Sequence, residues 1–139
     1  MIAYFDTAAF LKLVIEEPGS QTAARAWSAA DAVISSRLLY PEARAGLAAA
    51  LRGRRIQGPL YPGLKTQLEE LWQDIVAIEV TRALAAAAGD VAERQRLKGY
   101  DAVHLAAAMR AQPDLLVTAD ADLLRAAPAC GLTTVDVGQ

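Results

Sequence analysis

The stretch Ile2-Ala3-Tyr4-Phe5-Asp6-Thr7-Ala8-Ala9-Phe10 sets a short apolar run against an aspartate and then opens a helical pattern. An apolar run of this length, ended by a polar residue, reads as a strand covered on both faces, as in a parallel sheet. Working outward, the runs Val33 to Ser35, Ile75 to Val80, Leu115 to Val117 and Thr133 to Val137 have the same character. Between them lie stretches with apolar residues three and four apart, such as Leu38 to Leu51 and Tyr100 to Ala111. Strands alternating with helices predict an α/β fold around a parallel sheet. The segment Gly58-Pro59-Leu60-Tyr61-Pro62-Gly63 reads as a turn between two helices, because patterned sequence resumes on both sides. The run Ala83 to Ala88 reads as part of a helix that ends near Gly89.

A chain of 139 residues is the size of one domain with a core of its own, so residues 1–139 are read as a single unit. The hydrophobic share is 54%, much of it alanine, and no window approaches the ~20 consecutive apolar residues of a membrane span. The start lacks a basic region before its apolar run, and Asp6 arrives too early for a secretory signal. Cys130 is the only cysteine, which excludes an intramolecular disulfide or a cysteine zinc cluster and suits a cytoplasmic protein. A net charge of −2 argues against a protein that grips nucleic acid with its whole surface. Phosphate contacts then fall to local clusters, Arg52, Arg54 and Arg55 or Arg94, Arg96 and Lys98, which read equally well as solvated helix ends.

The acids are the most informative residues. Asp6 closes the first run and Asp120 follows the fourth, which puts both at the carboxyl edge of the sheet, where open α/β sheets bind ligands. Helix N-capping explains either residue taken alone. Glu42 is harder to explain this way, since its helical neighbours are Leu38, Leu39, Ala45 and Gly46. Asp101 shares a stripe with His104, Leu105 and Ala108. A carboxylate on a packed face is costly unless a cation or hydrogen bonds compensate. Four oxygen ligands from four segments suit a hard divalent cation, Mg²⁺ or Mn²⁺, and a chain with one histidine does not suit zinc. His104 reads as a packed, hydrogen-bonded histidine and not as a proton shuttle. Trp27 and Trp72 read as packing residues.

Four motifs together resemble the signatures of PIN domains: Tyr4-Phe5-Asp6-Thr7-Ala8-Ala9-Phe10, Leu39-Tyr40-Pro41-Glu42-Ala43, Tyr100-Asp101-Ala102-Val103-His104-Leu105-Ala106 and Val117-Thr118-Ala119-Asp120. The likeness spans almost the whole chain, and its short single-domain form is similar to the VapC-type toxins of toxin-antitoxin pairs. That resemblance implies a three-layer α/β/α fold with a sheet of about five strands ordered 3-2-1-4-5. It also implies endoribonuclease activity, a homodimer and a small antitoxin protein as inhibitor. Carried over by residue, Asp6, Glu42, Asp101 and Asp120 fall on the metal-binding acids, with Thr7, Ser36 and Thr118 on supporting hydroxyl positions. Asp122 is left as an alternative or partner to Asp120. Hydrolysis in this style uses an activated water on a phosphodiester phosphorus, leaves a 5′-phosphate and needs no nucleophilic side chain. An RNA-processing nuclease without an antitoxin and a non-catalytic α/β binding module remain alternatives. A receiver domain would need paired acids near the first strand, and a haloacid-dehalogenase-type phosphatase an aspartate where Ala8 stands. The stripes around Phe10, Leu13 and Val14 and around Leu47 and Leu51 predict an apolar groove for a partner helix or a second subunit.

Overall fold

Strand β1 (Ile2–Phe5) lies at the centre of the sheet, and its side chains show why. Tyr4 and Phe5 point to opposite faces, as pleating requires, and both are fully buried. A strand covered on both faces needs helices on both sides of the sheet, and the computed structural model, which describes residues 1–139, supplies them. After β1 come α1 (Thr7–Leu11), α2 (Ser20–Ala29), β2 (Ala32–Ser36), α3 (Leu39–Arg52) and α4 (Tyr61–Gln73). The second half runs through β3 (Ile75–Ile78), α5 (Arg82–Gln95), α6 (Gly99–Ala111), β4 (Leu115–Thr118), α7 (Ala121–Ala126) and β5 (Thr134–Asp136).

The five strands are parallel and ordered β3-β2-β1-β4-β5. One core lies between the sheet and the first four helices, where Phe5 meets Phe10, Leu39, Leu47 and Leu68. The other lies under α5, α6 and α7, where Tyr4 and Leu116 meet Leu84, Leu105 and Leu123. Each large apolar side chain fully buried in these layers contributes about 1.5–3 kcal/mol before entropy is counted. The result is the expected α/β/α sandwich. Parallel pairing of β1 with β4 sets Phe5 beside Val117, so the residues just beyond these strand ends are neighbours.

Element ends differ from the sequence reading in ways that packing explains. β3 stops at Ile78 and not Val80, because its only partner, β2, ends at Ser36, the residue paired with Ile78. Residues 58–63 are less of a turn than expected: a 3₁₀ segment, Gly58–Leu60, runs straight into α4, whose first turn accepts Pro62 because its missing N–H would be unpaired there anyway. The helix through Ala83 to Ala88 does not end near Gly89. It continues to Gln95, with Ala88 and Val91 both buried, and closes on Arg96 in the left-handed region (φ 56°). The apolar stripes expected to form a partner groove are largely spent inside: Phe10, Val14 and Leu47 are buried in the first core, while Leu13 and Leu51 are half-buried.

Two glycines test this account from opposite directions. Gly19 holds φ at +93°, and an added Cβ would stand 1.9 Å from the Val137 carbonyl oxygen, so the chain turns into α2 against the C-terminal segment only with glycine here. Gly89 has helical backbone and open space around it. Denaturant melts should therefore show Gly19→Ala destabilising by about 2 kcal/mol or more. Gly89→Ala should stabilise by about 0.5–1 kcal/mol. A loss on Gly89→Ala would mean that α5 does end there.

Candidate active site

Asp6 follows β1 and caps α1: its Oδ1 accepts the Ala9 N–H at 2.9 Å. Its Oδ2 accepts the Thr118 hydroxyl at 2.5 Å. Thr118 ends β4, and its Oγ1 in turn accepts the Asp120 N–H at 2.9 Å. One buried hydroxyl thus ties together the two strand ends whose adjacency the sheet order establishes. Asp120 caps α7, with Oδ1 accepting from the Asp122 and Leu123 N–H groups at 2.9 and 3.0 Å. The capping role foreseen for both aspartates is real. It occupies one oxygen of each for the helix and does not remove either residue from the site.

Glu42 sits in the first turn of α3, half-buried, where its Oε1 accepts the Thr7 hydroxyl at 2.7 Å. Gly46, one turn along α3, faces Leu11, and the missing side chain lets α1 lie close beside α3. Asp101 is in the first turn of α6 and only 8% exposed, yet its carboxylate accepts no hydrogen bond from the protein. No buried side-chain oxygen or nitrogen lacks a partner, so the Asp101 oxygens open onto the cavity. That cavity, about 290 Å³, is lined by Asp6, Thr7, Glu42, Tyr100, Asp101, His104 and Asp120. Four acids from four separate segments meet there.

The crowding changes their acidity. Burial raises the pKa of Asp6 above the usual carboxylate range, with Asp120 adding to the rise and His104 and the Thr118 bond opposing it. Burial, and then the charges of Asp120 and Asp6, push Asp101 up to about 6. Carboxylates that resist ionisation because they are buried, and secondly because they face one another, mark a site that a positive charge would relieve. No three of the acid, histidine or cysteine side chains are gathered so as to hold a metal ion by themselves. An open, acid-walled cavity suits Mg²⁺ or Mn²⁺ all the same, because such a cation keeps several waters and needs only one or two carboxylates besides substrate phosphate. The donor set, oxygen throughout, fits that group.

The remaining sequence candidates fall into place around the cavity. Asp122 lies outside it, with an exposed side chain 4.0 Å from Arg125. Ser36 is buried but does not line the cavity; its Oγ accepts the Leu38 N–H and shapes the turn into α3. The neighbouring Ser35 donates to the Phe5 carbonyl at 2.6 Å and ties β2 to β1. Arg94, Arg96 and Lys98 lead into α6 just before Asp101, whereas Arg52 lies some ten residues, about 15 Å of helix, beyond Glu42. Trp27 packs edge-on against Phe5, and Trp72 against Tyr40 under the Arg37 guanidinium.

His104 and Tyr4 connect to the acids through hydrogen bonds that the sequence does not show. His104 is packed and hydrogen-bonded, as expected, but its partner is a site acid: Nε2 lies 2.7 Å from Glu42 Oε1 and 3.2 Å from Thr7 Oγ1. Its Nδ1 is 2.8 Å from the Tyr4 hydroxyl. The signal was present, since His104 falls one helical turn from Asp101 and so on the same face.

The PIN domain family model matches residues 3–128. Ribonuclease VapC45 of Mycobacterium tuberculosis is 40% identical over 117 residues, which cover 84% of this chain and 81% of that protein. Among solved structures, PAE2754 from Pyrobaculum aerophilum superposes with a TM-score of 0.70 at 21% identity, covering 99% of this chain and 93% of that one. A toxin-antitoxin complex from Klebsiella pneumoniae contains a chain matching with a TM-score of 0.61 at 19% identity, over 87% of this chain and 89% of its own. The strand order, the acid-lined cavity at the carboxyl edge and these likenesses agree: the chain belongs to the PIN-domain family, in the branch that contains the VapC proteins.

Proposed function

We propose that this chain is a Mg²⁺- or Mn²⁺-dependent endoribonuclease and the toxin of a toxin-antitoxin pair, with Asp6, Glu42, Asp101 and Asp120 as its metal-binding acids. The observation that carries the proposal is Asp101, a nearly buried carboxylate without a protein hydrogen bond, set against three other acids around one cavity. A bound divalent cation supplies the positive charge that activates water and offsets charge developing on the phosphate and the leaving oxygen. The protein residues do the rest. Thr118 holds Asp6 and Asp120 in register, Thr7 holds Glu42, and the α1 and α7 caps keep the two aspartates from rotating away. The cavity contains no serine or cysteine nucleophile, which fits direct attack by water. Asp120 is the fourth acid in this reading, because Asp122 faces solvent outside the cavity.

The partners follow from the same reading. RNA is the substrate, as the name of the Mycobacterium tuberculosis relative states for that protein. An antitoxin is the inhibitor, as the Klebsiella pneumoniae complex contains one, and a basic side chain of that partner placed among the four acids would compete with the cation. A second copy of the chain has surface available on the β3 side, where Val76 and Val80 are exposed near a cleft of about 410 Å³ lined by Arg37, Tyr40, Trp72 and Val80. The lone cysteine and an RNA substrate suit the cytoplasm; no helix is long and apolar enough to cross a membrane.

Two measurements test the proposal. The first is cleavage of RNA with Mg²⁺ or Mn²⁺. Asp6→Asn and Asp101→Asn should each lose about a hundredfold or more, because the amide keeps the shape and, at Asp6, the helix cap, but not the ligand charge. Asp122→Asn should stay within about twofold of the parent, as expected for an exposed surface residue. Full activity in EDTA would rule the metal out.

The second is thermal stability against pH. Asp101 has its folded pKa raised to about 6 from 3.8, so the folded state holds the proton longer than the unfolded chain does. Its contribution is fully present below pH ~4 and is lost as pH rises through about 6. In EDTA, Asp101→Asn should therefore gain on the parent as pH rises from 4 to 6 and keep that lead above it. Saturating Mn²⁺ should raise the parent's Tm, by roughly 10 °C at a hundredfold excess over Kd, and raise the variant's less. A parent-to-variant gap that ignores both pH and Mn²⁺ would show that Asp101 is structural.

A further inference from the structure

We infer that His104 is a positioning residue for Glu42: a chain of hydrogen bonds from Tyr4 through His104 to Glu42, closed by Thr7, fixes which way the Glu42 carboxylate faces in the acid cavity. The inference rests on the reading that these acids hold a divalent cation. Its members come from four elements, Tyr4 from β1, His104 from α6, Glu42 from α3 and Thr7 from α1. Tyr4 is fully buried and His104 is 2% exposed, with the two rings edge to face at 5.9 Å.

The direction of every bond in the chain follows from what each group can donate. An ionised Glu42 only accepts, and its Oε1 already receives the Thr7 hydroxyl at 2.7 Å. His104 Nε2, 2.7 Å from the same oxygen, must then present its hydrogen. In a neutral ring that leaves Nδ1 as acceptor for the Tyr4 hydroxyl, which lies 2.8 Å away and is kept protonated by burial. The acceptor Glu42 thus sets the tautomer of His104, and the Tyr4 hydroxyl on the strand behind it supplies the matching donor.

The consequence falls on Glu42. A glutamate side chain has three rotatable bonds and, half-buried at a cavity wall, several ways to point. Two donors on Oε1 hold it in one of them and leave Oε2 without a protein partner, available to the cavity. A residue needed only to fill space would not require both ring nitrogens; leucine fills a comparable volume. α6 thus carries two site residues one turn apart, Asp101 facing the cavity directly and His104 acting through α3.

The test is the Mn²⁺ affinity of the intact protein without RNA, measured by calorimetry, with a melting curve for each variant. His104→Leu should weaken Mn²⁺ binding about tenfold or more, the usual scale for losing a group that orients a metal ligand. His104→Gln, whose amide N–H reaches the Nε2 position, should stay within about threefold of the parent, and Tyr4→Phe should fall between the two. In a Glu42→Ala background, His104→Leu should change the affinity by less than about twofold, because the residue it acts through is gone. Unchanged Mn²⁺ affinity in folded His104→Leu overturns the proposal, and so does an undiminished effect in the Glu42→Ala background. If His104→Leu does not fold, a folded Tyr4→Phe with parental affinity overturns it equally, and a weakened one supports it. A parent protein that binds no Mn²⁺ and cleaves no RNA refutes the acid-site reading itself. A parent that does both, without dependence on His104, refutes this inference alone.

Discussion

Everything in this fold is arranged around one strand that has no free side. β1 is paired on both edges and covered on both faces, with Tyr4 committed to one core and Phe5 to the other. A strand so enclosed cannot shift register by a residue without exchanging its two cores. The residue that follows it, Asp6, is therefore delivered to a fixed point at the carboxyl edge. β4 lies beside it in register, so Thr118 and Asp120 arrive at a matching point. The remaining two acids come from helices packed on opposite sides of the sheet, α3 and α6, which lean over the same edge. The strand sets the position of the site, and the two cores set its walls.

The acids in this cavity do not choose between structure and chemistry, because a carboxylate has two oxygens and several lone pairs to divide. Asp120 gives Oδ1 to the α7 cap and has Oδ2 without a protein partner. Asp6 spends one bond per oxygen, one on α1 and one on Thr118, and each oxygen has acceptor capacity left. Glu42 takes both of its bonds on Oε1. Only Asp101 takes none; its pKa, like that of Asp6, is raised first by burial and then by the neighbouring acids. Donors fix the direction of Asp6, Glu42 and Asp120, while Asp101 is placed by its helix alone.

The sequence made the fold legible because its central strands, β1 and β4, are short apolar runs, the mark of a sheet buried on both faces, each followed closely by an aspartate. Asp6 and Asp120 could be placed from that pattern alone, and Glu42 and Asp101 from carboxylates standing on apolar helical stripes. What stayed hidden depends on contacts between distant segments. That α5 would pass through Gly89 depends on Val91 finding a place in the second core. That Phe10, Val14 and Leu47 would be consumed internally depends on how much helix surface the first core covers. The difference between Ser35 and Ser36 is one of strand phase, which no composition reveals: one hydroxyl reaches back to β1, the other turns the chain into α3. His104 was visible as a residue but not as a partner of Glu42, 62 positions away.

The place of Tyr4 joins these threads. A tyrosine in the central strand buries a hydroxyl that must find a hydrogen-bond partner, and phenylalanine would serve the second core without that demand. The hydroxyl meets His104 on α6, and through it Glu42 on α3, so a side chain of the second core reaches an acid that stands over the first. The link crosses the sheet at its carboxyl end, the one level where side chains from both layers can meet around the end of β1. Packing alone would let the two helix layers settle independently against their own faces of the sheet. A directional chain of hydrogen bonds between them is sensitive to displacements of a few tenths of an ångström. It ties the spacing of α3 and α6, and with it the separation of Glu42 and Asp101, to the strand that fixes Asp6.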